Sequence, residues 1–138
     1  MKMKKKLLML VVFVFLLCGC NNTLICEKET EKEIDKVKIK FKQGMPISLS
    51  WKRTLIYQDG DALIEMNYYE EKDYYGKYNN TEGLTYKIDK KDRKGKILIN
   101  VDVDYSKYDI STDIKLPSIY IDKKNNKFYL ENNGYKCK

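Results

Sequence analysis

Histidine is absent from the 138 residues, so neither a Ser-His-Asp nor a Cys-His nucleophile can be built from this chain. Ser48, Ser50, Ser106, Ser111 and Ser118 lie in strand or loop contexts without a helix-borne Ser-x-x-Lys, which removes the serine-lysine alternative. The seven glycines are scattered singly; they mark turns or, for Gly76, a helix end, and none forms a phosphate-cradling loop. Among the carboxylates, Asp102 and Asp104 are two apart and share a strand face, where they could hold a cation or flank a sugar. They lie opposite Ile99, Val101 and Val103, however, and a solvated outer face accounts for them better. Asp59 and Asp61 begin like a calcium loop, but Leu63 takes the next ligand position and no glycine follows, so a turn or helix cap fits better. Tyr68, Tyr69, Tyr74, Tyr75 and Tyr78 are the one cluster with the composition of a binding surface, because tyrosine offers rigid amphipathic contact area to peptides, glycans or headgroups. Several of the five must nonetheless pack against the sheet.

The thiols carry the most specific signal. Leu17-Cys18-Gly19-Cys20 follows eleven apolar residues, Leu7 to Leu17, and a basic start with Lys2, Lys4, Lys5 and Lys6. This arrangement resembles a bacterial lipoprotein signal. It implies cleavage before Cys20, a diacylglyceryl group on the Cys20 thiol, and a place on the outer face of the cytoplasmic membrane. The apolar run is shorter than the roughly 20 helical residues that span a hydrocarbon core. The expected organisation is a signal peptide over 1–19, a lipid-anchored spacer over 20–23 and one domain over 24–138. With Cys18 removed and Cys20 modified, Cys26 and Cys137 are left at the two ends of the domain. In an exported protein such a pair is a candidate disulfide, and two free, half-buried thiols are the alternative. No metal is expected, since neither cysteine has a close second and histidine is missing; no cofactor is expected beyond the covalent lipid.

Cleavage also changes the charge. Four of the 27 basic residues leave with the signal and none of the 20 acidic ones do, so the formal charge falls from +7 to +3. The excess belongs to the segment that steers insertion. The remaining lysines are interspersed with acids, as in Lys28 to Lys42, the pattern of a solvated surface, and nucleic acid is not an expected partner. Weak attraction to anionic headgroups or wall polymers is compatible with this balance. A mature chain of this length makes one domain with its own core.

The elements that must position these groups follow from apolar spacing. Leu24 to Glu29 reads as a short strand, and Val37, Ile39 and Phe41 alternate with lysines in a second, ended by Gln43-Gly44. Ile47, Leu49, Trp51, Leu55 and Tyr57 share one parity in a third strand, with Arg53 the exception, and Pro46 is tolerated at its start. Over 61–75, Asp61 could cap a helix with Ala62, Met66 and Tyr69 on one face and Glu65 and Glu70 exposed; a strand after an Asp59-Gly60 turn is the competing reading, and the charged run Glu70-Asp73 favours helix. Leu84, Tyr86 and Ile88 mark a strand, Lys90 to Gly95 a turn, and Ile97, Ile99, Val101, Val103 and Tyr105 the clearest strand of all. Tyr108 to Ser118 is an irregular connection. Over 122–133 a hairpin and a helix capped by Asp122 and stopped at Gly134 both remain open.

Leu24-Ile25-Cys26 at the front and Tyr129-Leu130-Glu131-Asn132-Asn133-Gly134-Tyr135-Lys136-Cys137-Lys138 at the back resemble a group of uncharacterised small lipoproteins of low-GC Gram-positive bacteria. These begin with a cysteine-bearing strand and end in Gly-Tyr-x-Cys-Lys. The resemblance implies an α+β two-layer fold, broadly YehR-like, with helices at both ambiguous segments, and it implies no activity. Asn125, Asn126 and the tyrosines depart from the leucine-rich face expected of the last helix. The expected fold is therefore α+β, an antiparallel sheet of about five to six strands with one or two helices on one face. The expected role is a non-enzymatic, lipid-anchored extracytoplasmic module that meets the membrane through its anchor and binds an envelope protein, peptide or glycan. A carboxylate-based glycan-active enzyme and a small-ligand carrier are the alternatives.

Overall fold

The structure, a computed structural model, describes residues 22–58, 62–91 and 94–138. The signal segment, Cys20, the Asp59-Gly60 turn and the Asp61 cap lie outside the described residues. Six strands, β1 (Thr23–Glu29), β2 (Glu33–Lys42), β3 (Met45–Ile56), β4 (Leu84–Lys91), β5 (Lys96–Asp104) and β6 (Lys136–Cys137), form one antiparallel sheet in the order β4-β5-β3-β2-β1-β6. Two helices, α1 (Leu63–Gly76) over β4 and β5 and α2 (Lys123–Asn132) over β1 and β6, cover the same face. This is the α+β architecture expected of the chain. No helix among the described residues is long and apolar enough to cross a membrane.

Period-two alternation decides which side of each strand is dry. Leu24 and Cys26 of β1, Val37, Ile39 and Phe41 of β2, Leu49 and Trp51 of β3, and Ile97, Ile99, Val101 and Val103 of β5 are buried under the helices. Cross-strand register stacks them in rows, such as Cys26, Val37, Trp51, Val101 and Tyr86. The β2–β3 connection is a two-residue turn with positive φ at both Gln43 (52°) and Gly44 (81°), the geometry that matches the twist of a tight hairpin. Between Lys40 and Phe41 the register slips, because Lys40 faces Ser48 and Phe41 faces Pro46. Ile47 is the extra residue of this bulge. It is exposed, and Pro46 is buried, contrary to the parity expected of Ile47.

Both ambiguous segments are helices. In α1 the stripe toward the sheet is Ile64, Tyr68, Glu71 and Tyr75, continuing to Tyr78, whereas Ala62, Met66 and Tyr69, expected to form that face, are exposed. The reason is size: the observed stripe brings more aromatic surface to the sheet than the alternative would. Asp122 accepts a hydrogen bond from the Asn125 backbone N–H (2.9 Å) and caps α2. Gly134 (φ 90°) ends it, with the Tyr135 N–H turned back to the Leu130 carbonyl (3.0 Å). α2 buries only Leu130 and Asn126, so its short dry face reflects the missing leucines seen in the sequence. Cys26 and Cys137, paired in register across β1 and β6, form a disulfide.

Candidate functional site

Because the two helices lie over opposite ends of the sheet, the middle of the covered face, on β2 and β3, is finished by polar side chains. Parity puts Glu33 and Asp35 of β2 and Arg53 of β3 among the core positions, and Arg53 faces Asp35 in register. The Arg53 guanidinium donates to Glu33 Oε1 (2.9 Å) and to the Tyr75 hydroxyl (3.2 Å), lies 3.7 Å from Glu71 Oε2, and stacks 4.8 Å from the Trp51 ring. A planar, permanently charged group suits these simultaneous contacts, which an ammonium could not reproduce. Burial pushes the Glu71 carboxyl above its ordinary range, against the pull of Arg53. The Tyr75 hydroxyl is raised for the same reason.

Asp35 is the most perturbed carboxylate. Burial foremost, then the neighbouring Glu33, pushes it to about 6, although the Tyr135 hydroxyl donates to its Oδ2 (2.9 Å). Its Oδ1 is buried without a hydrogen-bond partner. Tyr135 belongs to the tail that follows α2, so this bond ties the end of the chain to β2.

Beside the cluster a cleft of about 420 Å³ opens, lined by Trp51, Arg53, Glu70, Glu71, Tyr74, Tyr75 and Lys115. Tyr74 accepts a hydrogen bond from the Lys115 N–H (3.0 Å), which fixes the connection 105–122 as the cleft's far wall. Ring faces beside carboxylates and a guanidinium suit a ligand with flat apolar patches and hydroxyl or amide groups.

The five tyrosines singled out in the sequence are divided by the fold. Tyr75 and Tyr78 are buried, Tyr78 donating to Asp113 Oδ1 (3.0 Å); Tyr68 and Tyr74 are half-buried; Tyr69 alone is largely exposed. Tyr74 and Tyr75 reach the cleft. Tyr68 instead lies under Lys72 and Lys90, each about 5.3 Å from its ring. Glu33, Asp35 and Arg53 carry the electrostatics, and two of them were missed in the sequence. Extending the parity of Val37, Ile39 and Phe41 backwards by two and four residues would have placed both acids on the dry face.

The opposite face of the sheet is open. Lys36, Lys38 and Lys40 of β2 stand beside Ser48, Ser50 and Lys52 of β3 around a shallow trough of about 500 Å³ that also includes Ile25, Glu27 and Asp102. Asp102 and Asp104 are exposed on this side, as the alternation of β5 predicts. Asp104 accepts from the Ser106 hydroxyl (2.6 Å) and N–H (3.0 Å), and these bonds hold its pKa below the ordinary value. Among the described residues no cluster of three metal-ligating side chains occurs.

Fold and site together define a small, disulfide-closed α+β domain with one helix-covered face and one open face. No protein-family model matches the chain. No curated protein matches it. Among solved structures it is similar to an NMR structure of a protein from Streptococcus pneumoniae TIGR4, with a TM-score of 0.58 and 12% identity over 86% of each chain. At that identity the likeness concerns the fold alone.

Proposed function

We propose that this protein is a lipid-anchored extracytoplasmic binding module, held on the outer face of the cytoplasmic membrane through Cys20 and presenting the Trp51-Tyr74 cleft to a peptide or glycan of the envelope. The observation that carries the reading is the Cys26–Cys137 bridge. Such a bond persists in oxidising, extracytoplasmic surroundings, and it spares from modification the two cysteines that the lipoprotein signal leaves over. The cleft supports binding rather than hydrolysis. A carboxylate hydrolase needs a free acid of raised pKa facing its substrate; Glu71, the raised carboxyl in this cleft, is held 3.7 Å from the Arg53 guanidinium, Asp35 does not line the cleft, and Asp102 and Asp104 stand on the open face. A small-ligand carrier is the second reading, favoured by the cleft's volume of about 420 Å³.

Anchoring is tested by following the chain's mass with and without globomycin, which should trap an uncut precursor, and by mass spectrometry of the mature N-terminus. A chain that still matures in globomycin, or a mature chain without diacylglycerol on Cys20, would refute it. Occupancy of the cleft is read from Trp51, the single tryptophan, as the protein is titrated with glycan fragments and with peptides released from its own envelope. A saturable emission change that Tyr74→Ala abolishes is expected. No response to either class, with a response to small metabolites instead, would favour the carrier.

A further inference from the structure

The chain enters the sheet at Thr23, and Thr23 pairs with Lys40 near the end of β2. From Cys20, three residues extend at most about 11 Å. The anchored domain must therefore hold the Thr23 end of the sheet close to the lipid. The β2–β3 hairpin projects beyond Thr23 at that same end, by about 10 Å for the three further residues to Gln43. Its tip thus reaches as far toward the bilayer as the spacer can separate them.

That tip has the composition of an interfacial contact. Met45 is 36% exposed and Ile47 43% exposed, the latter because the bulge at Phe41 turns it out of the core. Lys40 and Lys42 flank them and are exposed. The Tyr105 N–H donates to the Ile47 carbonyl (3.1 Å), and the Tyr105 ring lies 5.3 Å from that of the half-exposed Tyr120, which adds an amphipathic ring to the rim. Lys40 and Lys42 give the hairpin itself its positive charge, while Glu82, Asp104 and Asp109 lie beside Lys107 further along this end. The opposite end carries Glu29 and Glu31 beside Lys28 and Lys32, with Lys90, Lys91 and Lys96 further along it, so charge alone does not choose the end; the short tether at Thr23 and the exposed Met45 and Ile47 do.

We infer that the β2–β3 hairpin is a membrane-contacting edge, with Met45 and Ile47 entering the headgroup region of an anionic phospholipid surface and Lys40 and Lys42 meeting its phosphates. The inference rests on the anchoring reading above and adds an orientation to it. Acyl chains supply the attachment; the edge selects which end of the domain lies down. With that end down, the strands stand away from the bilayer, and the open face and the cleft both remain accessible from the envelope.

The test uses the lipidated protein, purified from its own membrane, with Met45→Cys or Glu31→Cys carrying an environment-sensitive fluorophore and the native disulfide verified intact. Each is reconstituted into vesicles of equal parts phosphatidylglycerol and phosphatidylcholine, or of phosphatidylcholine alone, containing headgroup-region spin-labelled lipid as quencher. The probe at 45 is expected to be blue-shifted and quenched severalfold more than the probe at 31 on the anionic vesicles. Lys40→Glu with Lys42→Glu should remove most of that difference. Equal quenching at the two positions, or stronger quenching at 31, overturns the orientation while flotation with both vesicle types leaves the anchor standing. Protein without lipid on Cys20 by mass spectrometry, failing to float with neutral vesicles, overturns the anchor and the orientation together.

Discussion

Asp35 shows how one residue can set a pH response. The folded state holds its carboxyl at about 6 against an ordinary 3.8, chiefly by burial. Between those values the folded chain keeps a proton that the unfolded chain has lost. Stability from this group is therefore fully present below 3.8 and is lost as the pH rises through about 6. Asp35→Asn can still accept from Tyr135 but has no charge to desolvate. It should stabilise the protein at pH 8 by about 1 kcal/mol, after allowance for solvent screening, and leave stability at pH 3.5 nearly unchanged. Urea midpoints measured across pH 3.5 to 8 decide this, and a variant that is less stable at pH 8 would sink it. Glu71 is raised in the same direction, so part of the slope should survive the substitution.

At the scale of elements, two small residues hold the ends of larger ones. Gly83 opens β4 at φ 76°, and a Cβ there would lie 2.6 Å from both the Asp104 carbonyl oxygen and the Tyr108 nitrogen. Both obstacles are backbone and cannot swing away. Gly83→Ala should cost about 3 kcal/mol or more, seen as a lowered thermal midpoint, and a neutral result would mean that the β4–β5 end can open. Asn126, fully buried in α2, donates from Nδ2 to the carbonyls of Ile119 (3.0 Å) and Ile121 (2.8 Å). Removing it strands the Ile121 carbonyl, leaves the Ile119 carbonyl with the Ile121 N–H alone and opens a gap, so Asn126→Ala should lose about 2 to 3 kcal/mol and speed amide exchange throughout α2. This residue also shows why the helices were harder to read than the strands. Strand parity is visible where apolar and polar residues alternate, over Val37 to Lys42 in β2 and Ile99 to Asp104 in β5. α2 is held by a cap, a buried asparagine and one leucine, so its apolar spacing could not exclude a hairpin. In α1 the spacing was misassigned because Glu71 faces inward, and only the Arg53 opposite makes that tolerable. The same reliance on a partner hid the charged cluster beside the cleft: Glu33 and Asp35 acquire meaning only once β3 brings Arg53 across from them. The bulge that exposes Ile47 has no local signature beyond Pro46, which cannot donate to the ladder.

For the molecule as a whole, the two sheet edges are managed differently. β4 carries Lys87, Lys90 and Lys91, charges that discourage pairing with another chain. The β1 edge is covered by β6, a strand of only two residues, too short to hold its place by ladder bonds alone. Three other contacts secure it: the Lys138 N–H to the Ile25 carbonyl (2.8 Å), Lys28 Nζ to the Asn133 carbonyl (2.9 Å), and the Cys26–Cys137 bridge. The bridge spans 111 residues, nearly the whole domain, so cutting it releases almost the full chain entropy of the unfolded state. By that argument Cys26→Ser with Cys137→Ser should lower stability by about 4 to 5 kcal/mol, a large share of what a domain of this size has. The loss should be uneven before it is global. Amides of α2 and the tail should exchange faster at once, because β6 and Tyr135 are their connection to β1 and β2, while β2, β3 and β5 keep their protection until cooperative unfolding. Urea titration of oxidised and reduced protein, with hydrogen exchange on both, separates the two effects. Coincident midpoints would show that packing of Leu130 and the Tyr135–Asp35 bond close the domain without the sulfurs.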